Sequence, residues 1–257
     1  LILLGSWYII LSEVTAVDAR EILSAQAVAE ALGLTPEAIS EYTRKKTIPC
    51  VGEDQYLLHE VMSALAGVRE DTATYRTQRK PFTYKDYLKL PDEPGWRYEV
   101  LNGQLVKEPP PSVLHQRIIG KLHLLLAPYF GQRGELFVSP LDVTFGKLTV
   151  VQPDLLYVAK EHKGIVKKTR IDGPPTLAIE VISPASRRKD SIQKMQIYLR
   201  AGVAHYWLVD PDRRTLTCFV LENGSYKAVV LARDSEVAEH PHFPGLKLPL
   251  AKLWQHS

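Results

Sequence analysis

Glu180 stands in the middle of the apolar run "LAIEVISP", Leu177 to Pro184. Leu177, Ala178, Ile179, Val181 and Ile182 read as a central strand covered on both faces. A carboxylate there needs a partner, because an unpaired buried charge costs several kcal/mol or neutralises itself. Two further carboxylates come into range of it. Asp154 follows Pro153 in "VVQPDLLYV", and Glu99 lies on a strand in "RYEVLNGQLVKE". If strands over 148–158 and 177–183 are neighbours, Asp154 and Glu180 meet at one end of the sheet. Convergent carboxylates without sulfur or imidazole favour a hard divalent ion, Mg²⁺ or Mn²⁺, over zinc. An amine is close in sequence: Lys194 comes fourteen residues after Glu180 and four after Asp190. The plain alternative for that spacing is a surface Asp-to-Lys pair on a helix.

The elements that must carry these groups can be read locally. Thr83 caps a short helix in "TYKDYLKLP", and the alternating strands around Asn102-Gly103 predict a hairpin with a type I′ turn. An amphipathic helix follows through Ile118, Ile119, Leu122, Leu125 and Leu126. Strands are expected near 135–145, 148–158 and 177–183, then a helix over about 186–201, the strand "HYWLVDP" and a hairpin at Asn223-Gly224. Mixed strands with two or three helices indicate an α/β sheet with helices packed on it.

Ahead of this lies a smaller unit. "SAQAVAEAL" places Ala27, Val28, Ala31 and Leu32 on one face behind a Ser24 cap, with Gly33 as the stop. Thr35 and Pro36 start a second helix with Ala38, Ile39 and Tyr42 as its stripe. Two short helices joined at a glycine read as a helix-turn-helix. "TIPCVGEDQYLLHEVMSALAGV" adds a strand, a Gly52 turn, a strand and a third helix, and the whole resembles the winged helix of MerR-like and excisionase-like domains. That resemblance would put Ser40, Thr43, Arg44 and Lys45 near DNA, with Lys46 beside them. Charge argues otherwise. Residues 1–70 carry five Lys/Arg against ten Asp/Glu, and residues 71–257 carry 27 against 19, so the nets are −5 and +8. A DNA role for the first unit rests on Arg44, Lys45 and Lys46, with protein docking or dimerisation as the alternative. A polyanion is drawn to the second. The polar stretch 71–81 reads as a linker between domains 1–70 and 82–257.

Cys50 and Cys218 are too few for a disulfide framework or a four-ligand zinc site, which fits a reducing cytoplasm. The apolar opening "LILLGSWYIIL" is too short to span a membrane and lacks the leader of a signal peptide, so no membrane is expected.

"RYEVLNGQLV", "PDLLYV", "LAIEVISPASRRKDSIQKMQIYLRAGVAHYWLVDP" and "FPGLKLPLAKLW" resemble the Uma-type putative restriction endonuclease family, a branch of the PD-(D/E)XK nucleases. The likeness runs from about 82 to 254. It implies a restriction-endonuclease-like α/β core, Mg²⁺ or Mn²⁺ held by Asp154 and Glu180 with the Val181 carbonyl and Glu99, and Lys194 orienting or deprotonating the attacking water. The superfamily's lysine two residues past the Glu is absent, since Ile182 stands there, and Lys194 matches the helix lysine of the Uma-type pattern. His115 and Asp190 are accessory candidates. Arg187, Arg188 and Lys189, with "KEHKGIVKKTR" at 160–170, could follow a nucleic acid backbone or be a solvated face. Tyr198, Tyr206 and Trp207 are assigned to the core.

The expectation is a metal-dependent endodeoxyribonuclease whose partner is DNA, with pairing into a homodimer left open. The alternatives are a non-catalytic nucleic-acid-binding regulator that keeps the nuclease fold, and an assembly role for the acidic first unit.

Overall fold

The computed structural model describes residues 22–68, 80–91, 93–184 and 186–255. The apolar opening and positions 71–79 of the expected linker lie outside the described residues. The chain divides into two compact units, Leu1–Val61 and Met62–Ser257. Among the described residues no helix is long and apolar enough to cross a membrane.

In the first unit the helix signals act as read. Helix α1 (Ala25–Leu32) starts at Ser24, whose hydroxyl accepts the Ala27 N–H, and stops at Gly33 in the left-handed region, φ 64°. Helix α2 (Pro36–Arg44) starts at Thr35, whose hydroxyl accepts the Ala38 N–H. The expected wing does not form. Strand β2 (Tyr56–Leu57) pairs with β1 (Ile22–Leu23), and the hairpin at Gly52 is reduced to a single bridge between Gly52 and Gln55. Pro49 has no N–H to give a ladder, and the Asp54 carboxylate accepts the N–H of Ala25 at 2.8 Å, which ties this turn to the start of α1. Helix α3 (Leu58–Gly67) begins in the first unit and continues past the boundary at Val61 into the second.

The second unit holds two principal sheets. Strands β3 (Arg97–Leu101) and β4 (Gln104–Glu108) form the predicted hairpin, with Asn102 at φ 53° and Gly103 at φ 85°, as a type I′ turn requires. With β6 (Val143–Thr144), β7 (Val150–Val151) and β9 (Ile171–Asp172) they make a five-stranded sheet in the order β4-β3-β7-β6-β9. The second sheet has six strands. Its order is β13-β12-β11-β10-β8-β5, formed from β5 (Gly134–Val138), β8 (Leu155–Ala159), β10 (Leu177–Val181), β11 (His205–Asp210), β12 (Thr215–Glu222) and β13 (Ser225–Arg233). Strands β10 and β11 run parallel, and β8 lies antiparallel on the other side of β10. A short pair, β14 (Val237–Glu239) with β15 (Lys247–Pro249), completes the strands.

The strands expected over 135–145 and 148–158 are each two strands in different sheets. Each break falls at a proline, Pro140 and Pro153, which cannot donate to a ladder. The chain therefore steps from one sheet to the other at Gln152-Pro153-Asp154. The helix expected from 186 begins as a wide π-type turn, Lys189–Lys194, before α6 (Met195–Ala201). Short helices α4 (Tyr84–Tyr87) and α7 (Ala251–Trp254) flank the unit in sequence.

Helix α5 (Val113–Phe130) covers one face of the six-stranded sheet. Ile118, Ile119, Leu122, Leu126 and Phe130 meet Leu155, Tyr157, Leu177, Ile179, Val181 and Trp207 in one cluster. Residues alternate along a strand, so Glu180 must point to the opposite face from Ile179 and Val181. That face carries Lys194 and Tyr198.

Gly134 pairs with Ala159 on the edge strand, where a Cβ would run into the Val158 carbonyl oxygen and lie 2.7 Å from the Tyr157 ring. Gly134→Ala is expected to lower stability by about 1–3 kcal/mol through overpacking against backbone, read as a fall in the urea midpoint. Gly164→Ala, with open space around its Cβ, should shift it by much less.

Candidate active site

Arg97 and Glu99 come from β3, Glu108 from the end of β4, His115 from the first turn of α5, Asp154 from the step between sheets, Glu180 from β10, and Lys189, Asp190 and Lys194 from the wide turn. All nine line one cavity of about 260 Å³, together with Gln152 and Pro109 to Ser112. The structure therefore brings together the acids, the amine and the two accessory candidates singled out in the sequence.

The partner of Glu180 is Lys194. The ammonium lies 2.9 Å from Glu180 Oε1 and 2.8 Å from Glu99 Oε1, and the residue is 2% exposed. Surface pairing with Asp190 is not what the spacing means here: that contact is 3.8 Å and buried. Tyr198, assigned to the core, donates its phenol proton to the same Glu180 oxygen at 2.6 Å. Asp154 Oδ2 accepts the Val181 N–H at 2.9 Å and lies 3.1 Å from His115 Nε2. His115 Nε2 is also 3.0 Å from the Val181 carbonyl oxygen, so the carbonyl expected to face an ion is held by this ring. Lys189 sits 2.8 Å from Glu108 and 3.4 Å from Glu99.

Burial pushes the Glu180 carboxyl up; Lys194 opposes this, Asp190, Asp154 and Glu99 reinforce it, and the group stands at about 8. Burial also acts on Glu99, but Lys194, Lys189 and the Gln152 N–H outweigh it and hold this carboxyl below the usual range. For Asp154 burial is overcome by the hydrogen bond and charge of His115, then by Lys194 and the Val181 N–H, and the group is lowered. Asp190 is raised by burial despite the two lysines. Burial disfavours the charge on Lys194, yet Glu180, Glu99, Asp190 and Asp154 hold its pKa well above the ordinary value.

Five carboxylates, Glu99, Glu108, Asp154, Glu180 and Asp190, face three cationic side chains, Arg97, Lys189 and Lys194. With all ionised, two negative charges are in excess. Among the described residues three buried acceptors of the cavity also lack a hydrogen-bond partner: Glu99 Oε2, which has only the Lys189 ammonium at 3.4 Å, Asp190 Oδ1 and Gln152 Oε1. Hard oxygen donors with a charge excess of two suit a divalent ion such as Mg²⁺ or Mn²⁺. As the side chains stand, no group of three or more His, Cys, Asp or Glu among the described residues is arranged to hold a metal ion. The Lys194 ammonium fills the point between Glu99 and Glu180 instead.

The basic run of 187–189 is dispersed. Lys189 turns into the cavity, Arg187 is paired with Asp210 and with Asp212 at 2.8 Å, and Arg188 is exposed. Lys160, Lys163, Lys167 and Lys168 are exposed. In the first unit Arg44, Lys45 and Lys46 are exposed, Lys45 lies 2.6 Å from Glu41, and Thr43 is turned inward to the Ile39 carbonyl and the Tyr56 hydroxyl. Arg97, Glu108 and Gln152 are site residues that the sequence reading does not single out. The alternation of β3 and β4 could have found the first two, since Arg97 lies two residues before Glu99 and pairs with Glu108 across the hairpin.

Residues 84–251 match the family described as "Uma2: Putative restriction endonuclease", a span that contains every side chain of the cavity. The chain belongs to this family. A solved structure described as a putative nuclease of the DUF820 group from Anabaena variabilis aligns with a TM-score of 0.56 at 22% identity, over 68% of this chain and 98% of its own. That likeness is one of fold, a mixed α/β core. No curated protein matches the chain.

In this Uma2 member, Lys194→Met leaves Glu99 and Glu180 facing each other in a buried site, and a loss of about 3–5 kcal/mol is expected in urea denaturation. Adding Glu180→Gln in the same chain removes one of the stranded charges and should recover part of that loss. Equal stability of wild type and Lys194→Met would show that the pair contributes nothing.

Proposed function

We propose that the second unit is a metal-dependent endonuclease hydrolysing DNA phosphodiester bonds, and that the first unit docks DNA or a protein partner. The observation that carries the reading is the convergence of Glu99, Asp154, Glu180 and Lys194 on one acidic cavity inside the Uma2 match. Asp154 and Glu180 would hold Mg²⁺ or Mn²⁺, with Glu99 as a further oxygen donor and the Val181 carbonyl available if His115 gives it up. When bound, such an ion lowers the pKa of water and neutralises charge growing on the phosphoryl oxygens.

The chain's own groups divide the remaining work. In the hydrolysis a water oxygen bonds to phosphorus while an ester P–O bond breaks, and the proton lost by the water is balanced by one gained by the leaving oxygen. Lys194 keeps its proton, because four carboxylates hold it there. It therefore acts as a hydrogen-bond donor and positive charge, not as the base. Asp154, held low, stays ionised. His115 and the Val181 N–H fix Oδ2 of that carboxylate, and Tyr198 fixes Oε1 of Glu180, so the free oxygens of both have defined directions.

A second reading is a non-catalytic nucleic-acid-binding regulator. It is favoured by the ammonium already bridging Glu99 and Glu180. Calorimetry with Mn²⁺ separates the two. The nuclease reading expects binding that strengthens about tenfold per pH unit below about 8 and levels above it, since Glu180, with its carboxyl raised to about 8, must release its proton to take the ion. Glu180→Gln should flatten this dependence. Cleavage of a duplex or single-stranded oligodeoxynucleotide with Mg²⁺ should fall by at least about 100-fold in Asp154→Asn. Nucleic acid binding with no ion uptake and no cleavage would favour the regulator.

A further inference from the structure

A cavity whose carboxyl groups outnumber its cations, five to three, is a poor place for a phosphodiester, so something at its opening must receive one. The three cations lining it differ in how far they are committed. Lys194 and Lys189 each have a carboxylate oxygen within 2.9 Å and side chains only 3% and 12% exposed. Arg97 is 23% exposed, and its nearest carboxylate oxygen, Asp154 Oδ1, is 3.6 Å from its terminal nitrogen. Among the described residues its one hydrogen bond, to the Ser139 hydroxyl, is long at 3.5 Å, and its buried Nε has no partner. Glu108, across the hairpin, is taken by Lys189. A guanidinium carries five N–H donors in a planar fork that matches two oxygens of one phosphate. In Arg97 that fork is almost unused.

We propose that Arg97 is a catalytic residue of this site, the group that grips the non-bridging oxygens of the scissile phosphate beside Asp154. The assignment rests on the nuclease reading above and extends it to how the substrate is held. Its position suits that role, because a phosphate at the exposed side of the fork lies against the acid expected to hold the ion. Charge appearing on the phosphate oxygens during hydrolysis then meets a cation that needs no rearrangement. The start of α5 adds to the attraction. Pro109 to Ser112 line the same cavity at the N-terminal, electropositive end of an eighteen-residue helix.

The test uses the full chain, Arg97→Met and Arg97→Lys with two probes. Bis(p-nitrophenyl) phosphate is a diester without bases, and a fluorescein-labelled single-stranded oligodeoxynucleotide adds the natural backbone. Arg97→Met is expected to lower kcat with Mn²⁺ by about 100-fold on both probes. It should also weaken oligonucleotide binding in Ca²⁺, read by anisotropy, by about tenfold, as loss of one charge-assisted pair implies. Mn²⁺ affinity by calorimetry should not fall, since a positive charge beside Asp154 is removed. Arg97→Lys should restore binding more than rate, because an ammonium keeps the charge and loses the fork. Equal binding and hydrolysis by wild type and Arg97→Met overturns the assignment, and so does a fall in Mn²⁺ affinity that matches the fall in rate, which would make Arg97 a group that orients Asp154. A wild type that binds the oligonucleotide through Arg97 and cleaves neither probe keeps the phosphate contact and overturns the nuclease reading. A wild type that neither binds nor cleaves overturns both.

Discussion

The ammonium of Lys194 between Glu99 and Glu180 joins three parts of the fold that otherwise share no strand or helix. Glu99 belongs to the five-stranded sheet, Glu180 to the six-stranded sheet, and Lys194 to the wide turn before α6. Each group alone would be costly where it sits, because all three are almost fully buried. Together they satisfy one another, and the burial that penalises each separately strengthens their attraction. The wide turn has a part in this. It begins a helix with Lys189, Asp190 and Lys194 all directed at one cavity, and an extra residue per turn is a known device for bringing functional side chains to one side.

The two sheets are stitched at prolines. Pro140 and Pro153 interrupt what hydrophobicity alone presents as continuous strands, and at the second interruption the chain delivers two site groups in three residues. Gln152 gives its backbone N–H to Glu99 at 2.8 Å, while its side-chain amide is held by Asp142 at 2.8 Å and Tyr87 at 3.2 Å. Asp154 follows and turns to the Val181 N–H on β10. A strand that continued through 153 would alternate its side chains between faces of one sheet. The break instead sets Asp154 at the seam, where groups from both sheets can reach the same space.

Such a construction is legible in the sequence only in part. Glycine and asparagine turns, serine and threonine caps and the apolar periods of α1, α2 and α5 are readable because each depends on residues within one turn or hairpin of each other. The buried Glu180 is readable as a charge needing a partner, and the structure supplies an ammonium and a phenol from the helix that follows. The split of the strands at Pro140 and Pro153 is hidden, because both halves are apolar and only the missing N–H distinguishes them. The wing misleads for a related reason: alternation around Gly52 looks like a hairpin, while the pairing partner of Tyr56 and Leu57 lies more than thirty residues away at Ile22 and Leu23. Arg97 and Gln152 carry no local signal beyond neighbouring Glu99 and Asp154. Their meaning depends on which donors and acceptors are left over once every other pair in the cavity has formed.

The distribution of charge sets the two units apart. The second unit holds an acidic cavity inside a half of the chain with a net of +8, so long-range attraction and local repulsion act on a polyanion in sequence. Exposed lysines over 160–168 can concentrate it near the surface, but they do not line the cavity, so on the nuclease reading a phosphate must still be brought to Asp154. That last step needs a positive group at the cavity opening whose own hydrogen bonds are not already spent on carboxylates. The first unit has the opposite balance. Among the described residues its exposed cations are confined to the end of α2, where Lys45 is paired with Glu41, and Thr43, which a groove-reading helix would turn outward, is bonded inward. A surface of that kind offers little of the electrostatic footprint from which phosphate affinity is usually drawn.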